Sequence, residues 1–210
     1  MVHAYHVILP VYGYWLPNDP RGGWSEVIRK WELIHFGNAS KTLERRFLEE
    51  LTPQELRERQ AAKKRLKYPA VRLTGTQAAA IGGGFAEKTR KGNYTIWACS
   101  ILPEHTHLVI ARRTFKVEQM VNLLKGSATR RLIDRSLHPL AAHAKEGERP
   151  PRMWASHEWK VFLDSEEAIE NAIHYVQENP VKEGKREQHW SFVTPFSGLP
   201  IGSWVTYHTN

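Results

Sequence analysis

The chain has 210 residues, 41% of them hydrophobic, which suits one well-buried domain, leaves little for a second and excludes global disorder. A formal charge of +8 points to a polyanionic partner, nucleic acid being the commonest, although an anionic membrane or simple solubility would produce the same balance. Its single cysteine, Cys99, excludes an intrachain disulfide framework and a cysteine-based zinc finger. The first residues lack a basic stretch followed by a long apolar run, and no apolar segment approaches the ~20 residues needed to cross a bilayer. A cytoplasmic, nucleoid-associated chain with no membrane partner is the expectation.

Residues 3–14, rich in β-branched and aromatic side chains, read as an opening strand that ends at the turn-forming run from Pro17 to Gly23. A polar, basic and partly helical stretch at about 25–73 reads as an insertion. Within it Thr52-Pro53-Gln54-Glu55 is a capping box with proline at the first helical position, opening a basic helix over roughly 53–67. Its charges, among them Arg57, Arg59, Lys63, Lys64, Arg65 and Lys67, suit either a solvated surface or a face turned to DNA. Residues 76–91 predict a helix weakened by Gly82-Gly83-Gly84 and ended at Gly92-Asn93.

Residues 94–102 and 105–112 predict two strands separated by Pro103-Glu104, an antiparallel hairpin, with Cys99 as a small core residue. Over 117–135 the apolar side chains Val117, Met120, Val121, Leu124, Ala128 and Leu132 fall at helical spacing, opposite Lys125, Arg130, Arg131 and Arg135. A proline-containing loop is expected at 138–151, then a short strand at 159–163. Asp164 to Glu167 begins a last helix, expected to stop near 178 because the residue before Pro180 avoids helical geometry. The order implies an α+β sandwich on 1–210, ferredoxin-like βαββαβ, with an antiparallel sheet carrying its helices on one face.

Chemistry is concentrated at two places. His105 and His107, two apart on a strand, point to the same side and can converge on one Mn²⁺, Mg²⁺ or Zn²⁺ ion. His-x-His alone is weak evidence in a chain with 11 histidines. On the last helix Ile169, Ala172, Ile173 and Val176 form the apolar stripe, while Tyr175 and Asn179 share another face. Read alone, Tyr175 is an amphipathic boundary residue and Asn179 a helix C-cap. Together the sites complement each other. A phenol with an ordinary pKa of ~10 needs an electrophilic partner to attack a phosphate, and a divalent ion is one. Lys125, Arg130 and Arg131, on the helix between, could hold a nucleic-acid backbone.

Pro103 to Ile110 (PEHTHLVI) resembles the MPNHVHLLL strand of the HUH single-tyrosine transposases, REP-associated tyrosine transposases above all. Tyr175 to Gly184 (YVQENPVKEG) is similar to their YIHNNPVRAGL segment. Leu124-Lys125-Gly126 and the Trp159 to Asp164 run match in order, and Tyr5-His6-Val7-Ile8 suits the first family strand. The resemblance implies a βαββαβ catalytic domain acting on single-stranded or hairpin DNA, as a monomer or a homodimer. It implies that His105, His107 and Asn179 bind a divalent metal, Mg or Mn. Tyr175 would be the nucleophile that leaves a 5′-phosphotyrosine and a free 3′-OH, conserving the bond energy for strand transfer and DNA transposition.

The chain departs from that pattern in places. Thr106 replaces the usual hydrophobic residue between the histidines, and its side chain should point away from the metal. Asn179 stands where many such proteins carry glutamine, which leaves Glu178 or a water as an alternative ligand. The 25–73 insertion has no counterpart in the compact family core. Trp24, Trp31, Trp154 and Trp190, in polar surroundings, could stack on unpaired bases, though most aromatics belong to cores. A non-catalytic nucleic-acid-binding protein of the same fold is the competing reading. A zinc hydrolase ranks below both, because no His-Glu-x-x-His helix is present.

Overall fold

Regular structure begins with a strand whose pairing organises the rest; the computed structural model describes residues 1–14, 52–156 and 158–199. The elements are β1 (Ala4–Pro10), α1 (Pro53–Lys64), α2 (Gly75–Gly92), β2 (Ile96–Ile101), β3 (His105–Ala111), α3 (Val117–Asp134), β4 (Trp159–Leu163) and α4 (Glu166–Lys182). Most of the proposed insertion, with Trp24 and Trp31, lies outside the described residues.

The four strands form one antiparallel sheet in the order β2-β3-β1-β4, so the opening strand sits centrally between β3 and β4. Helix α2 connects β1 to β2 and α3 connects β3 to β4, which is the βαββαβ arrangement. Strand alternation sorts the two faces. Val7, Leu9, Leu108, Ile110 and Ile101 pack with Ile81 and Phe85 of α2 and with Met120, Leu124 and Leu132 of α3. Ala4, Ala98, Val109 and Leu163 lie on the other face, under Ile169, Ala172 and Val176 of α4. The expectation of helices on one face is therefore corrected. The last helix has its own apolar stripe, and the face already covered by α2 and α3 offers no room for it.

Helix α2 runs unbroken through its glycine run. A Cβ on Gly84 would lie 2.6 Å from the Ala128 backbone of α3, and one on Gly82 would lie 2.2 Å from the Trp190 ring. These glycines let the helix approach its neighbours closely, and Ser127 Oγ donates across the contact to the Gly84 carbonyl at 2.9 Å. Both ends are closed as well. Thr74 and Gln77 form a second capping box, and Asn93 takes the left-handed C-cap at φ 48°. Helix α1 begins with the expected Thr52–Glu55 box and stops at Lys64, three residues short of the sequence expectation.

The other correction concerns α4. It does not stop before Pro180 but runs through it, with Asn179 and Pro180 both buried. Closure comes four residues later: Lys185 N–H donates to Pro180 O and Gly184 N–H to Val181 O, with Gly184 at φ +67°. This is a Schellman ending. Val176 packs under the sheet face and Pro180 is buried, and the helix continues despite the one backbone hydrogen bond that proline removes.

The 138–151 segment is irregular apart from a short 3-10 turn, and Leu140 and His138 anchor it in the interior. Residues 188–194 cover the β2 edge. Gln188 bonds both the N–H and the carbonyl of Ile101, at 2.8 and 2.9 Å, and Thr194 N–H reaches Ile96 O.

Candidate functional site

Register decides which side chains meet. Ile8 pairs with His107, and Pro10 with His105, so the two histidines and His6 project from the sheet face that α4 covers. Thr106 pairs with Leu9 and Ile101 and is fully buried on the opposite face, pointing away from the histidines as expected.

His105 and His107 are both buried, with ring centroids 4.7 Å apart and nearly perpendicular planes. Tyr14 stacks on His105 at 4.8 Å. His6 Nε2 lies 3.0 Å from His107 Nδ1 and the two rings stack at 5.2 Å. The Tyr175 ring closes the group, 5.6 Å from His107 and 5.7 Å from His6, edge to face with both.

Continuation of α4 past Pro180 places three polar side chains in a row. Tyr175, Asn179 and Glu183 are spaced four apart and so share a face. At one end of the row is the Tyr175 contact with the histidines. At the other, Glu183 Oε1 lies 3.9 Å from His105 Nε2, too far for a hydrogen bond. Asn179 between them is buried, and its amide nitrogen has no hydrogen-bond partner. It is therefore not the C-cap that the isolated helix suggests. Tyr175 is 41% exposed.

Electrostatics favour a neutral imidazole at His107. Burial foremost, then His105 and His6, hold its pKa well below the usual histidine range. Its Nε2 is buried and without a hydrogen-bond partner. Among the described residues no three histidine, cysteine, aspartate or glutamate side chains converge as a metal-binding group. The donors that suit a cation are the two imidazoles, with His107 Nε2 unspent, whereas the unpartnered atom of Asn179 is its amide nitrogen, a hydrogen-bond donor and not a ligand. Glu178, the alternative ligand, faces outward and pairs with Lys182 at 2.7 Å and His174 at 3.0 Å.

The cations of α3 are not brought to this cluster. They belong to the helix on the far side of the sheet. Lys125 is buried and paired with Glu158 at 3.1 Å. Arg131 packs its guanidinium against Gly83, 4.0 Å from Glu87, and Arg130 is exposed. Trp154 is a core residue that donates from Nε1 to Thr129 Oγ1 at 3.0 Å, and Trp190 is half-buried over Gly82. No helix among the described residues is long and apolar enough to cross a membrane.

Two members of the cluster escape a reading of the sequence. His6 stands in the opening strand, and only the β1–β3 register shows that it shares a face with His107. The Tyr175-x3-Asn179-x3-Glu183 spacing is visible in the sequence, but a helix ending at 178 hides its last member.

No protein-family model matches the chain, and no curated protein sequence does. Among solved structures it is similar to a candidate transposase from Deinococcus radiodurans R1, at 12% identity and a TM-score of 0.44, over 85% of this chain and 91% of that one. It is also similar to a REP-associated tyrosine transposase bound to a REP hairpin, at 14% identity and a TM-score of 0.45, over 90% of this chain and 74% of that one.

Proposed function

We propose that the chain is a single-tyrosine HUH transposase, an endonuclease and strand transferase for single-stranded or hairpin DNA that uses Mg²⁺ or Mn²⁺. The observation that carries this reading is the meeting of the Tyr175 ring with His6 and His107, at 5.7 and 5.6 Å, beside the buried His105. The motifs at Pro103 to Ile110 and Tyr175 to Gly184 support it independently of that geometry.

His105, His107 and Asn179 would hold the ion, which when bound polarises a phosphate oxygen and withdraws charge from the reacting phosphorus. Tyr175 Oη forms the new P–O bond while the bond from phosphorus to the 3′-oxygen breaks. The phenolic proton is released to solvent and the departing 3′-oxygen takes one up. The products are a 5′-phosphotyrosine and a free 3′-OH, and attack by another 3′-OH reverses the step to join strands. The Lys182 ammonium lies 5.8 Å from the Tyr175 ring centre while paired with Glu178 at 2.7 Å. Arg130, exposed on α3, is the best placed of the three predicted DNA-binding cations to hold backbone away from the site; Arg131 would assist it, and Lys125 would brace α3.

Tyr175→Phe should abolish the denaturation-resistant adduct with hairpin-bearing single-stranded DNA while leaving binding of that DNA largely intact. A persistent adduct in this variant would overturn Tyr175 as nucleophile. If the wild type binds such DNA yet never cleaves it with Mg²⁺ or Mn²⁺ present, the competing reading of a non-catalytic nucleic-acid-binding protein holds instead.

A further inference from the structure

We propose that His6 is the positioning residue of the site: it accepts a hydrogen bond from His107 Nδ1 and so leaves His107 Nε2 as the atom that binds the cation. The inference rests on the reading of His107 as a metal ligand, and it adds a residue outside the His105, His107 and Asn179 set.

The argument is one of proton placement. The two nitrogens, His6 Nε2 and His107 Nδ1, are 3.0 Å apart, so one must donate and the other accept. A neutral imidazole carries one N–H. If His107 carried it on Nε2, a donor buried with no hydrogen-bond partner would result, since that atom has none. Such a donor is penalised by its full desolvation. With the hydrogen on Nδ1 the donor is satisfied by His6, and Nε2 keeps a bare, buried lone pair whose unmet need a bound cation satisfies. A metal-binding histidine requires this tautomer, with its other ring nitrogen donating to a neighbour that fixes the ring.

The backbone makes the arrangement specific. His6 pairs with Val109 across the ladder and Ile8 with His107, so His6 is the diagonal neighbour of His107 on the same face. The His6 ring also stands edge-on to Tyr175, at 5.7 Å, and so walls the phenol on the side of the metal ligands. Neither contact could be made from the adjacent positions Tyr5 or Val7, which point to the other face.

The test uses the full-length protein and two readouts. Long-range ¹⁵N–¹H spectra of the metal-free wild type should show His107 protonated on Nδ1. His6→Leu should move it towards the Nε2–H tautomer and weaken Mn²⁺ binding, measured by calorimetry, by about 10- to 100-fold. His6→Gln keeps an oxygen acceptor and should restore both, which a loss of packing alone would not explain. An Nε2–H tautomer in the wild type overturns the proposal whatever the variants do. A His6→Leu protein that binds Mn²⁺ within about twofold of the wild type overturns it as well. Absence of Mn²⁺ binding in the wild type overturns the metal site itself, an outcome separate from the other two.

Discussion

Lys125 shows how a residue's type and its employment can differ. On sequence it is a cation on a basic helix face. In the fold it is buried, its ammonium 3.1 Å from Glu158. Removing one partner of such a pair strands the other in a poorly solvated place. Lys125→Met should lower stability by about 2–3 kcal/mol, and the double variant with Glu158→Leu should recover a large part of it. Chemical denaturation of the single and double variants measures this. A Lys125→Met protein as stable as the wild type, with DNA binding weakened, would return Lys125 to the nucleic-acid surface. His6 is the opposite case, an ordinary strand histidine by sequence that lands 3.0 Å from a candidate ligand.

Between elements, close approach is the main theme, and glycines report it. Gly84 in α2 faces the Ala128 backbone of α3 at 2.6 Å from where a Cβ would stand, whereas a Cβ on Gly126 of α3 would meet nothing within 4 Å. Helix propensity by itself favours alanine at both by up to ~1 kcal/mol. Packing reverses the sign at the first. Gly84→Ala should destabilise by about 1–3 kcal/mol, because two backbones must separate. Gly126→Ala should stabilise by about 0.5–1 kcal/mol. Thermal unfolding of the two variants side by side checks the pair, and equal shifts would show that α2 and α3 do not pack as described. The extension of α4 through Pro180 belongs to this scale too. A rule based on the residue before proline ends the helix at 178, but a hydrophobic face already committed to the sheet carries it onward to Lys182.

The molecule as a whole hides neutral imidazoles, and this couples its stability to pH. His107 is held well below the usual histidine range by burial and then by His105 and His6, and His138 is lowered by burial. In the unfolded chain both should titrate near the ordinary value of ~6.5. Below that pH the unfolded state binds protons that the folded state excludes, so stability falls as pH falls and levels off above ~6.5. The slope is at most ~1.4 kcal/mol per pH unit for each histidine. Urea midpoints of metal-free protein should drop between pH 7.5 and 5.5, and His107→Gln should reduce the drop. A wild type with equal midpoints at both pH values would contradict the burial of a neutral His107.

Much of this was legible in the chain before folding. Strands at 105–112 and 159–163, the α3 stripe and the Thr52 capping box follow from periodicities and caps that act over one or two turns, where neighbours in sequence are neighbours in space. The pairing of His105 with His107, and the sharing of one helix face by Tyr175 and Asn179, are local in the same sense. What the sequence alone determined is therefore the alphabet of the site: two imidazoles on a strand, a phenol and an amide on a helix. Only the tertiary structure decided that α4 crosses the sheet face opposite α2 and α3, which sets Tyr175 against His107. It also decided that the β1–β3 register adds His6, and that Lys125 answers Glu158. These depend on which faces remain to be covered and on a ladder between segments about a hundred residues apart, quantities that no local pattern encodes.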